Sequence, residues 1–223
     1  DLIELGRRDR PVSLSAELQQ QVLPPRTFST RHVSLAAALE PAYETAGDAF
    51  DYAYNDDVLH VAVFDAIGHD VTAGLIANLA VGAGRFARRR GLDLPATATF
   101  IDDAVHEQFP DAMYATGIVA TIDVINGELR WVTAGHPPPL VVRHERAIAP
   151  IGHHRRPPFG LSYVVEHVPT DIDVVQLEAG DVVLLYTDGI VEARTRAKED
   201  FGLDRLKEFL HRALASGLST GEV

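Results

Sequence analysis

The 223-residue sequence predicts an α/β chain of the α+β kind, in which antiparallel sheets carry helices on their outer faces. Three observations lead there. Asn126-Gly127 joins two strand-like segments, "TGIVATIDV" and "GELRWVTAG", and Asn-Gly between such segments is a strong hairpin signal. Two long helical stretches, from Val71 and from beyond Leu94-Pro95, lie together in the middle of the chain. Strands and hairpins surround this pair, with one more helix at the end. Repeated strand-helix-strand units would have spaced the helices singly.

Each element has its own local reason. Leu14, Leu18 and Val22 stand four apart, one stripe of a short helix that Pro24-Pro25 halts. Residues 1–25 therefore read as a linker or switch helix, either the tail of an upstream sensor domain or an amphipathic helix resting on its own core. From Val33 the sequence turns strand-like, with a break at "ETAGDAFDYAYNDD". Val61 to Phe64 is a continuous apolar run, as in a strand covered on both faces. Asp70 takes an N-cap position, and Val71, Leu75, Leu79, Ala83 and Phe86 mark one helical face that Gly91 closes. The second helix carries Phe100, Ile101, Ala104, Val105 and Phe109. "PLVVR" is a strand and "GHHRRPPFG" a proline-rich loop. Strands resume from Asp173 to Leu177 and from Asp181 to Tyr186, and a last helix starts near Leu203.

Composition narrows the function. With 46% hydrophobic and 23% charged residues the chain has material for a sizeable core. A net charge of -12 argues against a nucleic-acid partner. It suits a binder of cations, or simply a solvated acidic surface. The absence of cysteine excludes disulfides and thiolate chemistry and fits a reducing, cytoplasmic setting. No apolar run reaches the ~18 residues of a membrane span, and "DLIELGRRDR" lacks a signal-peptide layout.

Two strands end alike. "VAVFDAIG" and "LLYTDGI" each run apolar and stop on an aspartate followed by a small residue, Asp65 before Ala66 and Asp188 before Gly189. "AGDAFD" adds Asp48 and Asp51 ahead of the first. Asp-Gly alone is also the composition of a turn. Taken together, such carboxylates need a counter-charge, because two of them ~4 Å apart repel by roughly 4 kcal/mol at an effective dielectric of 20. Hard oxygen donors select Mg²⁺, Mn²⁺ or Ca²⁺ over zinc or copper. Two such ions about 3.5–4 Å apart can lower the pKa of a water and aim it at phosphorus. The cluster thus points to phosphoester hydrolysis.

"AGDAFD", "FDAIGHD", "TAGHPPPL", "LEAGDVVLLYTDGIVEAR" and "FGLDRL" follow the order and rough spacing of the metal-dependent type 2C protein phosphatases. The chain resembles most their bacterial branch, the stage II sporulation protein E-like and sigma-factor regulator phosphatases. The likeness runs from about Leu18 to Leu210. It implies a four-layer αββα sandwich of two antiparallel sheets flanked by helices, over residues 26–223. It implies hydrolysis of phosphoserine or phosphothreonine on a partner protein, such as a phosphorylated anti-sigma-factor antagonist, with two Mn²⁺ or Mg²⁺ ions. An upstream sensor domain or a homodimer goes with that reading.

By the same resemblance, Asp65 bridges both ions and Asp188 is the second direct carboxylate of the first. Ala66 stands where the family offers a main-chain carbonyl, and Asp48 reaches the ions directly or through water. Asp51 reads as structural. The family's small residues are replaced by Phe64 and Ile67, which would narrow the cleft, and Asp70 adds an acid near it. The family closes on a strand with an Asp-Asp pair that supplies the last ligand of the first ion, and "STGEV" comes before any such strand. The domain is therefore expected to lack its last strand, by truncation rather than degeneration. A degenerate relative would be a pseudophosphatase, a phosphoprotein-binding regulatory module.

Other signals are weaker. His69 and His136 sit in motif positions but read as structural turn residues. His153 to Arg156 form a basic patch, read as a solvated loop. "VGAGRFA" matches a dinucleotide-binding pattern yet falls inside the helix from Val71. A phospho-accepting receiver domain needs a lysine at a late strand end, and both lysines, Lys198 and Lys207, follow the last strand.

Overall fold

The computed structural model describes residues 21–39, 47–143, 146–148, 155–165, 168, 171–193 and 200–222. Most of the helix expected from Leu14, and His153-His154, lie outside them. Along the chain come β1 (Thr27–Ser29), β2 (Ser34–Ala36), β3 (Asp48–Asn55) and β4 (Val58–Ala66), then α1 (Val71–Arg89) and α2 (Leu94–Gln108). Next are β5 (Ala115–Asp123), β6 (Glu128–Ala134), β7 (Leu140–Arg143), β8 (Arg146–Ile148), β9 (Arg155–Arg156), β10 (Asp173–Gln176) and β11 (Val182–Leu184). A single helical turn, α3 (Asp188–Val191), and α4 (Leu203–Ala215) follow.

The large sheet runs β10-β6-β5-β4-β3, antiparallel throughout, with β9 added parallel to β6. A smaller antiparallel sheet runs β11-β7-β8. Alternation along each strand sorts the side chains into three cores. Phe64, Val119, Val132 and Ala134 face α1 and α2. Ile118, Ala120, Leu129 and Trp131 face Val141 and Val183 of the small sheet and Leu185 just after it. Leu140 and Val142, on that sheet's other side, pack on Leu206 and Leu210 of α4. The result is the expected four-layer αββα sandwich.

Local signals mostly act as the sequence indicates. The Asp70 and Asp93 carboxylates accept from Ala73 N and Ala96 N, capping α1 and α2. Gly91, with φ of 69°, ends α1. The β5–β6 hairpin closes over residues 124–127 rather than over Asn-Gly alone. Asp123 accepts from the amides of Ile125 and Asn126, and only Gly127 takes a left-handed φ.

Three expectations are corrected. The buried face of α1 is Ala73, Ile76, Ala77, Ala80, Val81, Ala83 and Ala87; of the expected stripe Ala83 is in the core and Leu79 packs against it, whereas Val71 and Leu75 are more than half exposed. Small side chains let the helix lie close to the sheet, and the first turns of the larger stripe are turned aside. Arg156 belongs to no solvated loop: it is buried against Asp102 of α2 at 3.0 Å and lies over the Phe159 ring. Phe64 does not narrow a cleft, because alternation points it to the helix side, where it meets Phe159 edge-on at 5.8 Å. The end of the first helical stretch is visible as Val22 and Leu23, which pack on the core. Among the described residues no helix is long and apolar enough to cross a membrane.

Candidate metal centre

Register brings the acids together. Asp48 of β3 is the direct partner of Asp65 in β4, and Asp65 is in turn the partner of Thr116 in β5. Directly opposed residues point to the same side of a sheet. By parity with Val61 and Ile118, that side is the space between the two sheets. Asp51, three residues after Asp48, must point the other way. It does so, buried among the helices, where it accepts from Arg85 at 2.8 Å and Arg88 at 2.9 Å. Its structural reading is borne out.

Asp188 arrives from the small sheet. β11 ends at Leu184, and Thr187 stands as N-cap of the turn that begins with Asp188. The Thr187 hydroxyl caps nothing on that turn and lies against Asp48, whose carboxyl it pulls downward. Asp188 comes close enough to Asp65 for its charge and a side-chain hydrogen bond to act on that carboxyl. Burial, then the charges of Asp48, Asp188 and Glu192, push the Asp65 carboxyl up to about 7. Burial also raises Asp48, against the pull of Thr187 and with a further push from Asp188.

The sequence-predicted residues Asp48, Asp65 and Asp188 therefore meet at one end of the sandwich. Ala66, the last residue of β4, is buried beside them, and its amide donates to Gly47 O at 3.0 Å. A Cβ on Gly47 would lie 2.6 Å from the Ala66 carbonyl oxygen, so the chain needs glycine there. Asp70, by contrast, spends its carboxylate on capping α1. His136 is buried between Thr116 and the Tyr186 carbonyl, in keeping with a structural reading.

Four participants escaped sequence reasoning: Thr187, Glu192, Thr116 and the link His136 makes. Glu192 had a signal, lying four residues beyond Asp188 and so on the same side of a helical turn. Thr116 had none, since only strand register places it beside Asp65.

The donor set is all oxygen and all acidic, which suits a hard divalent cation. Among the described residues no three His, Cys, Asp or Glu side chains form a ready-made metal cage. Asp48 and Asp65 are directly opposed across β3 and β4, and the charge of Asp188 acts on both. A proton and a divalent cation compete for the same oxygens.

Comparison with known proteins identifies the family. The model of the stage II sporulation protein E (SpoIIE) family matches residues 55–222. The chain belongs to this family. It is 24% identical over 222 residues to protein IcfG of Synechocystis sp., covering 87% of this chain and 34% of that protein. It is 21% identical to the phosphoserine phosphatase RsbU of Bacillus subtilis, covering 82% and 54% respectively. Thus the chain spans about a third to a half of the curated relatives it matches. Among solved structures, the RsbU and RsbW domains of Rv1364c from Mycobacterium tuberculosis align with a TM-score of 0.66 at 28% identity, over 80% of this chain and 49% of that one. The SiaA-PP2C domain of Pseudomonas aeruginosa aligns with a TM-score of 0.74 at 21% identity, over 89% and 79%. These likenesses are to the type 2C fold, as the layer order requires.

Proposed function

We propose that this SpoIIE-family chain is the catalytic domain of a metal-dependent protein serine/threonine phosphatase. It cleaves phosphate from phosphoserine or phosphothreonine on a partner protein. The observation that carries this reading is the meeting of Asp48, Asp65 and Asp188, from three separate strands or turns, where among the described residues the charges acting on Asp65 are acidic. In the proposal Asp65 and Asp188 hold Mn²⁺ or Mg²⁺ directly, Asp48 assists, and Ala66 offers its carbonyl. When bound, such ions supply Lewis acidity that lowers the pKa of a water and offsets phosphoryl charge.

The residues themselves set the conditions. Asp65 has to give up its proton, so the site arms near neutral pH. The Asp188 end is exposed, open to a phosphoester carried on a protein surface. A cluster of carboxylates on a chain of charge -12 repels a phosphomonoester dianion until cations compensate. The absence of cysteine leaves no thiolate route. The relatives named phosphoserine phosphatases, RsbU and RsbP of Bacillus subtilis, support the substrate class. A phosphorylated anti-sigma-factor antagonist is the partner this reading names, and residues 1–25 are its proposed link to a sensor.

A second reading, a pseudophosphatase that binds phosphoproteins without turnover, is favoured by one observation, the lack of a ready-made three-donor cage among the described residues. Hydrolysis of p-nitrophenyl phosphate and of a phosphoserine peptide, titrated with manganese and magnesium, decides between them. Saturable metal-dependent turnover is expected. Metal-independent background in the full-length gene product would hand the case to the second reading.

A further inference from the structure

One hydrogen-bonded tie holds the segment Tyr186 to Asp188 to a row of the large sheet. Asp48, Asp65 and Thr116 form that row across β3, β4 and β5. Thr187 and Asp188 lie against Asp48 and Asp65 of the same row. The tie runs from Thr116 to Tyr186 through an imidazole. Thr116 Oγ1 lies 2.8 Å from His136 Nδ1, and His136 Nε2 lies 2.9 Å from the Tyr186 carbonyl oxygen. His136 is 3% exposed.

The direction of this tie follows from the partners. A carbonyl oxygen only accepts, so Nε2 carries the proton. The neutral ring then accepts at Nδ1, and the Thr116 hydroxyl donates. The backbone fixes the ring from behind: Gly135 takes a φ of 62° and its amide donates to Arg156 O at 3.1 Å. Arg156 is itself anchored on Asp102.

The tie through His136 ends on a hydroxyl and a backbone carbonyl, so it uses none of the carboxylates that a cation would claim. We infer that His136 is a positioning residue for Asp188: with Thr116 as proton donor, it pins the Tyr186 carbonyl and so fixes where the turn bearing Asp188 begins relative to Asp65. This inference rests on the metal-dependent reading above.

The rival account is that His136 merely fills buried space. Thr116→Val separates the two, because it keeps the volume of the row and removes only the donor. His136→Ala removes the tie outright, and His136→Gln restores a side chain able to accept and donate at once. Two measurements suffice: amide hydrogen exchange of residues 186–192 in the metal-free protein, and manganese binding by calorimetry. Thr116→Val and His136→Ala are expected to speed exchange in that segment, while β4 and β5 stay protected. Their manganese dissociation constants should rise about tenfold or more, the scale on which partners behind a metal ligand act. His136→Gln should recover part of both losses.

Variants with a lower unfolding temperature but wild-type exchange and wild-type manganese affinity would overturn the inference in favour of packing. If the wild-type chain itself binds no manganese, the metal reading fails and the purpose assigned to the tie fails with it. The exchange arm still reports, in that case, whether the tie holds the segment.

Discussion

β3 carries two aspartates, and its two faces treat them in opposite ways. On the helix face, Asp51 is buried and paired with both Arg85 and Arg88. Asp102 of α2, also on that side, is paired with Arg156. On the inter-sheet face, Asp48 lies against Thr187, and the charges of Asp48, Asp188 and Glu192 act on its neighbour Asp65. The chain holds 20 basic residues and spends several on the first face. Among the described residues, the helix-face acids Asp51 and Asp102 carry basic partners, whereas the charges acting on Asp65 are acidic.

The largest test of that contrast is Asp65→Asn. Metal-dependent hydrolysis should fall by more than the roughly 10–100-fold that outer partners of a metal ligand are worth. At the same time the metal-free protein should gain stability, by about 1–2 kcal/mol near pH 8 once solvent screening is allowed for. The gain arises because an uncharged amide is not repelled by three acids. Thermal unfolding without metal, beside a turnover assay, reads both. Lower stability together with retained turnover would remove Asp65 from the centre.

Asp51→Asn should do the reverse. It leaves two arginines facing a neutral group, and breaking such a pair costs about 3 kcal/mol, toward the low end because both guanidinium groups keep some contact with solvent. In a domain of this size that lowers the unfolding midpoint by about 6–12 °C. Magnesium affinity should stay at the wild-type value, since the side chain lies on the far side of the sheet. A changed affinity with an unchanged midpoint would contradict the division of the two faces.

Much of this contrast was legible in the sequence, for reasons that can be named. Asp65 and Asp188 each break an apolar run, and the break is visible without any structure. The three-residue spacing of Asp48 and Asp51 assigns them to opposite faces of a strand by parity alone. What stayed hidden depends on register or on a choice between stripes. Thr116 sits beside Asp65 only because β4 and β5 pair with one particular offset. Arg156 reads as a solvated cation until the partner in α2, far along the chain, is known. On α1 two apolar stripes compete, and periodicity favours the larger residues Val71 and Leu75. Close packing on the sheet selects the alanines instead.

The smallest and most diagnostic effect is that of pH on metal affinity. With its carboxyl pushed up to about 7 from the usual 3.8, Asp65 is protonated in the metal-free fold across a range where an unfolded chain has lost that proton. The raised value means that stability from the protonated form is fully present below about pH 4 and is lost as pH rises through 7. A cation needs the ionised form, so it must expel the proton below 7 and meets no such competition above it. Magnesium affinity should therefore drop about tenfold for each pH unit below 7, or roughly 1.4 kcal/mol per unit. It should level off above about 7.5. Calorimetric titration at pH 6, 7 and 8 tests this directly. Affinity that is flat across that window would mean that Asp65 is already ionised when the metal arrives. The inter-sheet face would then carry a counter-charge of its own, and the difference between the two faces of β3 would lose its meaning.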